Sequence, residues 1–81
     1  MKIDYIPLPK AISGREYIIN HIKIEGTGFN DYSGYGLLPG TKIKVLFTGP
    51  SKDPTAYEIM GTVIALRHTD SKNIFVCPLN D

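Results

Sequence analysis

The stretch Gly36-Leu37-Leu38-Pro39-Gly40-Thr41-Lys42-Ile43-Lys44-Val45-Leu46-Phe47 decides how this chain folds. Pro39 and Gly40 suit the two central positions of a type II turn between Leu38 and Thr41. Proline presets φ near about −65° at the first of them, and glycine accepts positive φ at the second without a Cβ clash. Immediately after the turn, Ile43, Val45 and Phe47 alternate with Lys42, Lys44 and Thr48, the period of two expected of a half-buried strand. A strand set off by a tight turn needs partners on both sides, so the flanking segments are read for more of the same.

Upstream, Tyr17 and Ile19 share one parity and Ile22 and Ile24 the other. A regular strand cannot send both pairs to one face. One extra residue near Asn20-His21 restores the phase, so a β-bulge is expected there. Residues 1–13 read as an irregular lead-in, because Pro7 and Pro9 bias their predecessors to extended geometry. Leu8 and Ile12 are its anchors, with a helical turn near Lys10-Ala11-Ile12. Gly26-Thr27-Gly28 ends the first strand. Phe29, Tyr32 and Tyr35 then recur at spacing three, predicting a short helix with one aromatic stripe, weakened by Gly34 and Gly36 and capped by Asn30 or Thr27.

Downstream, the segment from Gly49 to Thr55 has two prolines and no periodicity and reads as a surface loop. In Ala56-Tyr57-Glu58-Ile59-Met60, Tyr57 and Ile59 share the inward face. Gly61 suggests a kink rather than a reversal, since no polar turn residues accompany it. Val63-Ile64-Ala65-Leu66 resembles a strand covered on both faces. Arg67 to Lys72 is a polar connection with room for one 3₁₀ turn. The last strand, Asn73 to Cys77, points Ile74 and Val76 inward and stops at Pro78. Five short strands, closely spaced turns and one short helix predict a mainly β fold, a small closed or nearly closed barrel in which the first strand pairs late in the chain to close the sheet.

The 81 residues fit one domain with one small core. Hollowing that core for a substrate would remove much of what holds it together, so work on the outer surface is expected. The formal net charge is +1, without runs of like charge. Lys23, Lys42 and Lys44 make only a thin basic patch, which argues against nucleic acid. The single Cys77 excludes an internal disulfide and suits a reducing compartment. No signal-peptide core and no apolar run of the ~20 residues a spanning helix needs is present, so no direct membrane insertion and a cytoplasmic location are expected.

Chemistry-bearing residues are sparse. His21, His68 and Cys77 are candidate ligands for zinc or ferrous iron, but no pair has ligand spacing. Their ordinary roles are a bulge side chain turned to water, a loop residue and a half-buried small apolar group. The carboxylates are scattered over termini, loops and one outward strand position, with no convergent pair. Cys77 beside Pro78 has no sign of an oxyanion site, and Gly26-Thr27-Gly28 lacks the third glycine and lysine of a phosphate loop. The expectation is a non-enzymatic protein without a resident cofactor, binding Fe²⁺ or another divalent metal weakly if at all. Phe29, Tyr32 and Tyr35, with Leu37 and Leu38 beside them, are the largest apolar concentration. They cap the barrel mouth, offer a docking patch, or divide the two tasks.

Taken in order, Gly36-Leu37-Leu38-Pro39-Gly40-Thr41-x-Ile43-x-Val45, Pro50-x-x-Asp53-Pro54, Gly61-x-x-Ile64-Ala65-Leu66-Arg67 and Ile74-x-Val76 resemble the FeoA family. Its members are small cytoplasmic proteins of bacterial ferrous iron transport. The resemblance runs from about Gly14 to Cys77. It implies an SH3-like barrel over 1–81 and an accessory role beside FeoB, the GTP-hydrolysing membrane iron transporter, through which the protein would reach the membrane. The same module also ends iron- and manganese-sensing repressors; the absence of DNA-binding helices here favours a stand-alone protein. Family members usually carry Arg-Leu-x-x-Leu before the Gly-Leu-Leu-Pro-Gly turn, where this chain has Asp31-Tyr32-Ser33-Gly34-Tyr35. Phe29, Tyr32, Tyr35 and Leu38 are therefore the expected partner-binding residues, with Pro39 and Gly40 shaping the turn. The alternative is a divalent-metal binding or sensing module using His21, His68 or Cys77.

Overall fold

The computed structural model describes residues 4–23, 36–48 and 53–79. They form one antiparallel sheet and one short helix: β1 (Ile6–Pro7), a single 3₁₀ turn (Leu8–Lys10), β2 (Glu16–Ile22), β3 (Lys42–Thr48), β4 (Thr55–Ile59), β5 (Thr62–Leu66), α1 (His68–Ser71) and β6 (Ile74–Pro78). The strand order β1-β6-β2-β3-β4-β5 wraps a mainly β, SH3-like fold. Pairing of β2 with β6 brings the first long strand onto the last, as its sequence suggested. Among the described residues β1 and β5 do not pair, and the barrel is open between them.

Among the described residues there are six strands where the sequence suggested five. The additional one, β1, lies in the segment read as irregular, where Ile6 and Pro7 pair with Val76 and Phe75. The helical turn there is at Leu8–Lys10, two residues earlier than expected, and it buries Leu8. The expected helix and aromatic stripe over Phe29, Tyr32 and Tyr35, their caps, Ile24 and most of the loop after Gly49 lie outside the described residues.

The core is what strand alternation dictates. Tyr17, Ile19, Ile43, Val45, Tyr57, Ile59, Leu66, Ile74 and Val76 are buried, joined by Leu8 from the lead-in and Leu37 from the turn. The parity break in β2 is resolved as expected. The register runs Ile19↔Val76 and then His21↔Phe75, so Asn20 is the extra residue and Ile22 turns back to the core opposite Ile74.

Four expectations are corrected. A second shift, between Val45 and Phe47, makes Leu46 a bulge residue and turns Phe47 outward, 62% exposed, rather than into the core. Gly61 does not kink a strand: Met60 (φ 52°) and Gly61 (φ 81°) form a two-residue reversal closing the β4–β5 hairpin, with Ile59 opposite Thr62. Methionine gives no turn signal, so the reversal is silent in the sequence. Nor is β5 covered on both faces. Ile64 and Leu66 point in, but Val63 is 60% exposed and Ala65 is exposed with it, the alternation of a strand with one face on the core and one in solvent. The polar connection after it is one α-helical turn rather than 3₁₀.

Candidate functional site

Around Leu38 the local geometry follows the sequence closely. Thr41 N–H donates to the Leu38 carbonyl at 3.1 Å and Gly40 has φ +93°, the signature of a type II turn. Gly40 N–H also donates to the Ile19 carbonyl at 2.7 Å, and Ile19 N–H to the Thr41 carbonyl at 2.9 Å, so the turn is fastened to β2. The two leucines separate. Leu37 is buried in the core, whereas Leu38 is 48% exposed at the tip. A fixed backbone thus offers one apolar side chain to solvent, which costs a partner little ordering entropy on binding.

Beside the turn, a groove of about 350 Å³ runs over the outer face of β2, β3 and β4, with Thr41, Lys42 and Met60 on its walls. Its floor is a cross-strand row, Glu16↔Lys44↔Glu58. Register thus places Lys44 between two carboxylates, so the suspected basic patch is locally neutralised. Among the described residues, β2, β3 and β4 present no uncompensated positive stripe of the kind that phosphate neutralisation needs.

A second face, on β1, β2 and β6, carries an arrangement sequence reasoning did not find. The Asn20 bulge turns His21 outward opposite Phe75, where the rings stack at 4.7 Å between centroids and 12° between planes. Tyr5, half exposed, stands nearly perpendicular to both, at 4.9 Å from His21 and 5.8 Å from Phe75 between centroids. His21 Nδ1 lies 2.6 Å from Asn20 Oδ1, and Asn20 Nδ2 donates to Cys77 Sγ at 3.6 Å. An amide oxygen only accepts, so His21 carries its proton on Nδ1 in this contact. Phe75 and Cys77 have the opposite parity to Ile74 and Val76; that was the available signal, once β6 is paired with β2.

The three candidate metal ligands therefore divide. His21 and Cys77 share this face through Asn20, whereas His68 begins α1, where its backbone N–H donates to Asp53 Oδ1 at 2.9 Å. Among the described residues no three His, Cys, Asp or Glu side chains converge as a metal-binding group. Beneath α1, the buried Tyr57 hydroxyl is hydrogen-bonded to the side chains of Thr55 and Ser71. Burial pushes its pKa up; the two hydrogen bonds oppose this and the Asp53 charge adds to it. Ser71 is itself buried, so this contact seats the helix on the barrel.

Solved structures similar to this one agree on the fold. The FeoA-like protein of Clostridium acetobutylicum has a TM-score of 0.85 at 25% identity, covering 100% of this chain and 93% of that one. Iron(II) transport protein A of Clostridium thermocellum has a TM-score of 0.84 at 24% identity; the match covers 91% of this chain but 46% of that one. The zinc complex of FeoA from Stenotrophomonas maltophilia, described as an SH3 domain protein, has a TM-score of 0.67 at 19% identity, covering 85% and 86%. A search of curated proteins returns no match. Among the described residues no helix is long and apolar enough to cross a membrane. The model of the FeoA domain matches residues 6–78, from β1 to the end of β6, and on that match the chain belongs to the FeoA family, which is associated with ferrous iron transport.

Proposed function

We propose that this protein is a single-domain, non-enzymatic accessory protein of ferrous iron uptake, binding the cytoplasmic part of an FeoB-type membrane transporter and modulating its transport. Family membership over 6–78 is the observation that carries this reading. The S. maltophilia relative is itself described as a candidate ferrous iron transport activating factor. A filled core with a fixed, exposed Leu38 at the turn adds a physical reason, because the molecule has an exterior suited to docking. Leu38 is the described member of the docking set; Phe29, Tyr32 and Tyr35 complete it on the strength of the sequence.

Co-purification with the transporter from the native cell tests the assignment. Leu38→Ala, Tyr32→Ala and Tyr35→Ala are expected to keep the far-UV circular dichroism of the wild type and to reduce transporter association at least tenfold, the order expected for an interface anchor. Folded variants that co-purify as the wild type does would show the docking residues to be wrong. Direct divalent-metal binding would rest on the His21–Asn20–Cys77 face. Two such ligands make a weak site, so anaerobic Fe²⁺ is expected to broaden amide signals without saturable shifts confined to that face.

A further inference from the structure

We propose that the free edge of β5 pairs with β5 of a second copy of this chain, forming a twofold dimer with one sheet running through both protomers. The starting point is the hairpin. A two-residue reversal makes Ile59 and Thr62 a hydrogen-bonded pair, so Thr62, Ile64 and Leu66 direct their backbone groups to β4. The N–H and C=O of Val63 and Ala65 then point the other way, and among the described residues β5 pairs with β4 alone. The opposite edge is guarded, since β1 has two residues, one of them Pro7. Within Thr62–Leu66 there is no proline, no charge and no register shift, the devices that ordinarily blunt an edge.

A second copy suits this edge better than an arbitrary strand because the edge is self-complementary. Antiparallel pairing centred on Ile64 sets Val63 opposite Ala65 of the partner subunit, and Ala65 opposite Val63 of the partner subunit. Both are pairs whose backbone groups face the interface. On the outward side, the row Phe47↔Ala56↔Ala65 would continue onto the partner's Val63, and the twofold axis repeats this contact. Val63, 60% exposed, gains an apolar neighbour directly across the new strand pair. Charge agrees as well. Arg67 is exposed on the same side one residue beyond β5, so the partner's Arg67 falls opposite Gly61, two strands from Glu58 and on the same outward face. That carboxylate ends a row of two acids and one lysine, which is net negative. Dimerisation brings a long cationic side chain onto the face that carries it, at both ends of the interface.

Sedimentation of the full chain from micromolar to millimolar concentration tests the proposal. The weight-average mass is expected to rise from 9.0 kDa to about twice that value. Ala65→Pro removes an N–H that faces the free edge and not β4, so it is expected to hold the chain as a folded monomer. Arg67→Glu is expected to weaken dimerisation at least tenfold, and Glu58→Arg added to it to restore most of the loss. A sample mixing labelled and unlabelled chains is expected to give intermolecular contacts between Val63 and Ala65. Mass that stays at 9.0 kDa throughout the range, or a dimer unaffected by the charge exchange and by Ala65→Pro, would overturn the proposal.

Discussion

A methyl group added at Gly36 would meet Met60 Sδ at 2.7 Å and Ile59 Cγ2 at 2.9 Å, on a backbone already at φ +95°. Met60 is exposed and flexible and can move aside, but Ile59 is fully buried and cannot. Gly40 provides the contrast, with nearly the same φ (+93°) and nothing within 4 Å of an added Cβ. Left-handed strain alone costs about 1–2 kcal/mol, and overpacking a core adds about 1–3. Urea titrations should therefore find Gly40→Ala destabilised by about 1 kcal/mol and Gly36→Ala by about 2–4 kcal/mol. Equal losses at the two sites would mean that the close approach at Gly36 is not what selects glycine there. The turn at Gly40 was legible in the sequence from Pro-Gly alone. The closeness of Gly36 to β4 was not, since it depends on where a segment some 20 residues later returns.

Among the elements, α1 is too short to stand alone: one helical turn lies below the length at which propagation repays nucleation. Its seat is Ser71 against the Tyr57 hydroxyl, with Asp53 accepting from His68 N–H at its start. Tyr57→Phe leaves the buried Ser71 hydroxyl short of a partner and should cost about 1–2 kcal/mol at neutral pH. The same residue carries a pH dependence whose sign is fixed. Burial first, and the Asp53 charge after it, raise the folded pKa above the ordinary 10.0, so the neutral phenol is favoured in the fold. The resulting stability is complete below pH 10.0 and is lost as pH rises from there through the folded pKa. Denaturation of wild type and Tyr57→Phe across alkaline pH should show the wild-type advantage shrinking above that point. An advantage that grows instead would reverse the assignment. Elements differ in how far sequence reaches them. The Asn20 bulge announces itself because the buried residues on either side of it change parity. The Leu46 bulge is hidden, since Val45, Leu46 and Phe47 are apolar at both parities and either phase reads as a strand. The outward cluster of Tyr5, His21 and Phe75 is likewise invisible until β1, β6 and β2 are set side by side.

For the molecule as a whole, the open question is how so short a chain closes a core, and the answer lies partly in the lead-in. Leu8 is 1% exposed and belongs to the same cluster as Ile19, Ile74 and Val76, although the prolines around it read as irregular structure. Its 3₁₀ turn ends with Ala11 N–H donating to the Leu8 carbonyl at 2.9 Å, while Ile6 and Pro7 extend the sheet beside β6. An isolated proline-rich segment cannot display this, because its structure is the shape of the barrel end it covers. A domain of this size has roughly 4–12 kcal/mol of total stability. Truncating a buried leucine removes about 2–4 kcal/mol through lost transfer energy and the cavity left behind. Leu8→Ala is thus expected to lower the melting temperature by roughly 10–25 °C. Ile12→Ala, four residues on and 57% exposed, should change stability by no more than about 0.5 kcal/mol. Calorimetry on the two variants decides the matter. If Leu8→Ala melts where the wild type does, the lead-in is an appendage, and the barrel closes its core with β2 to β6 alone.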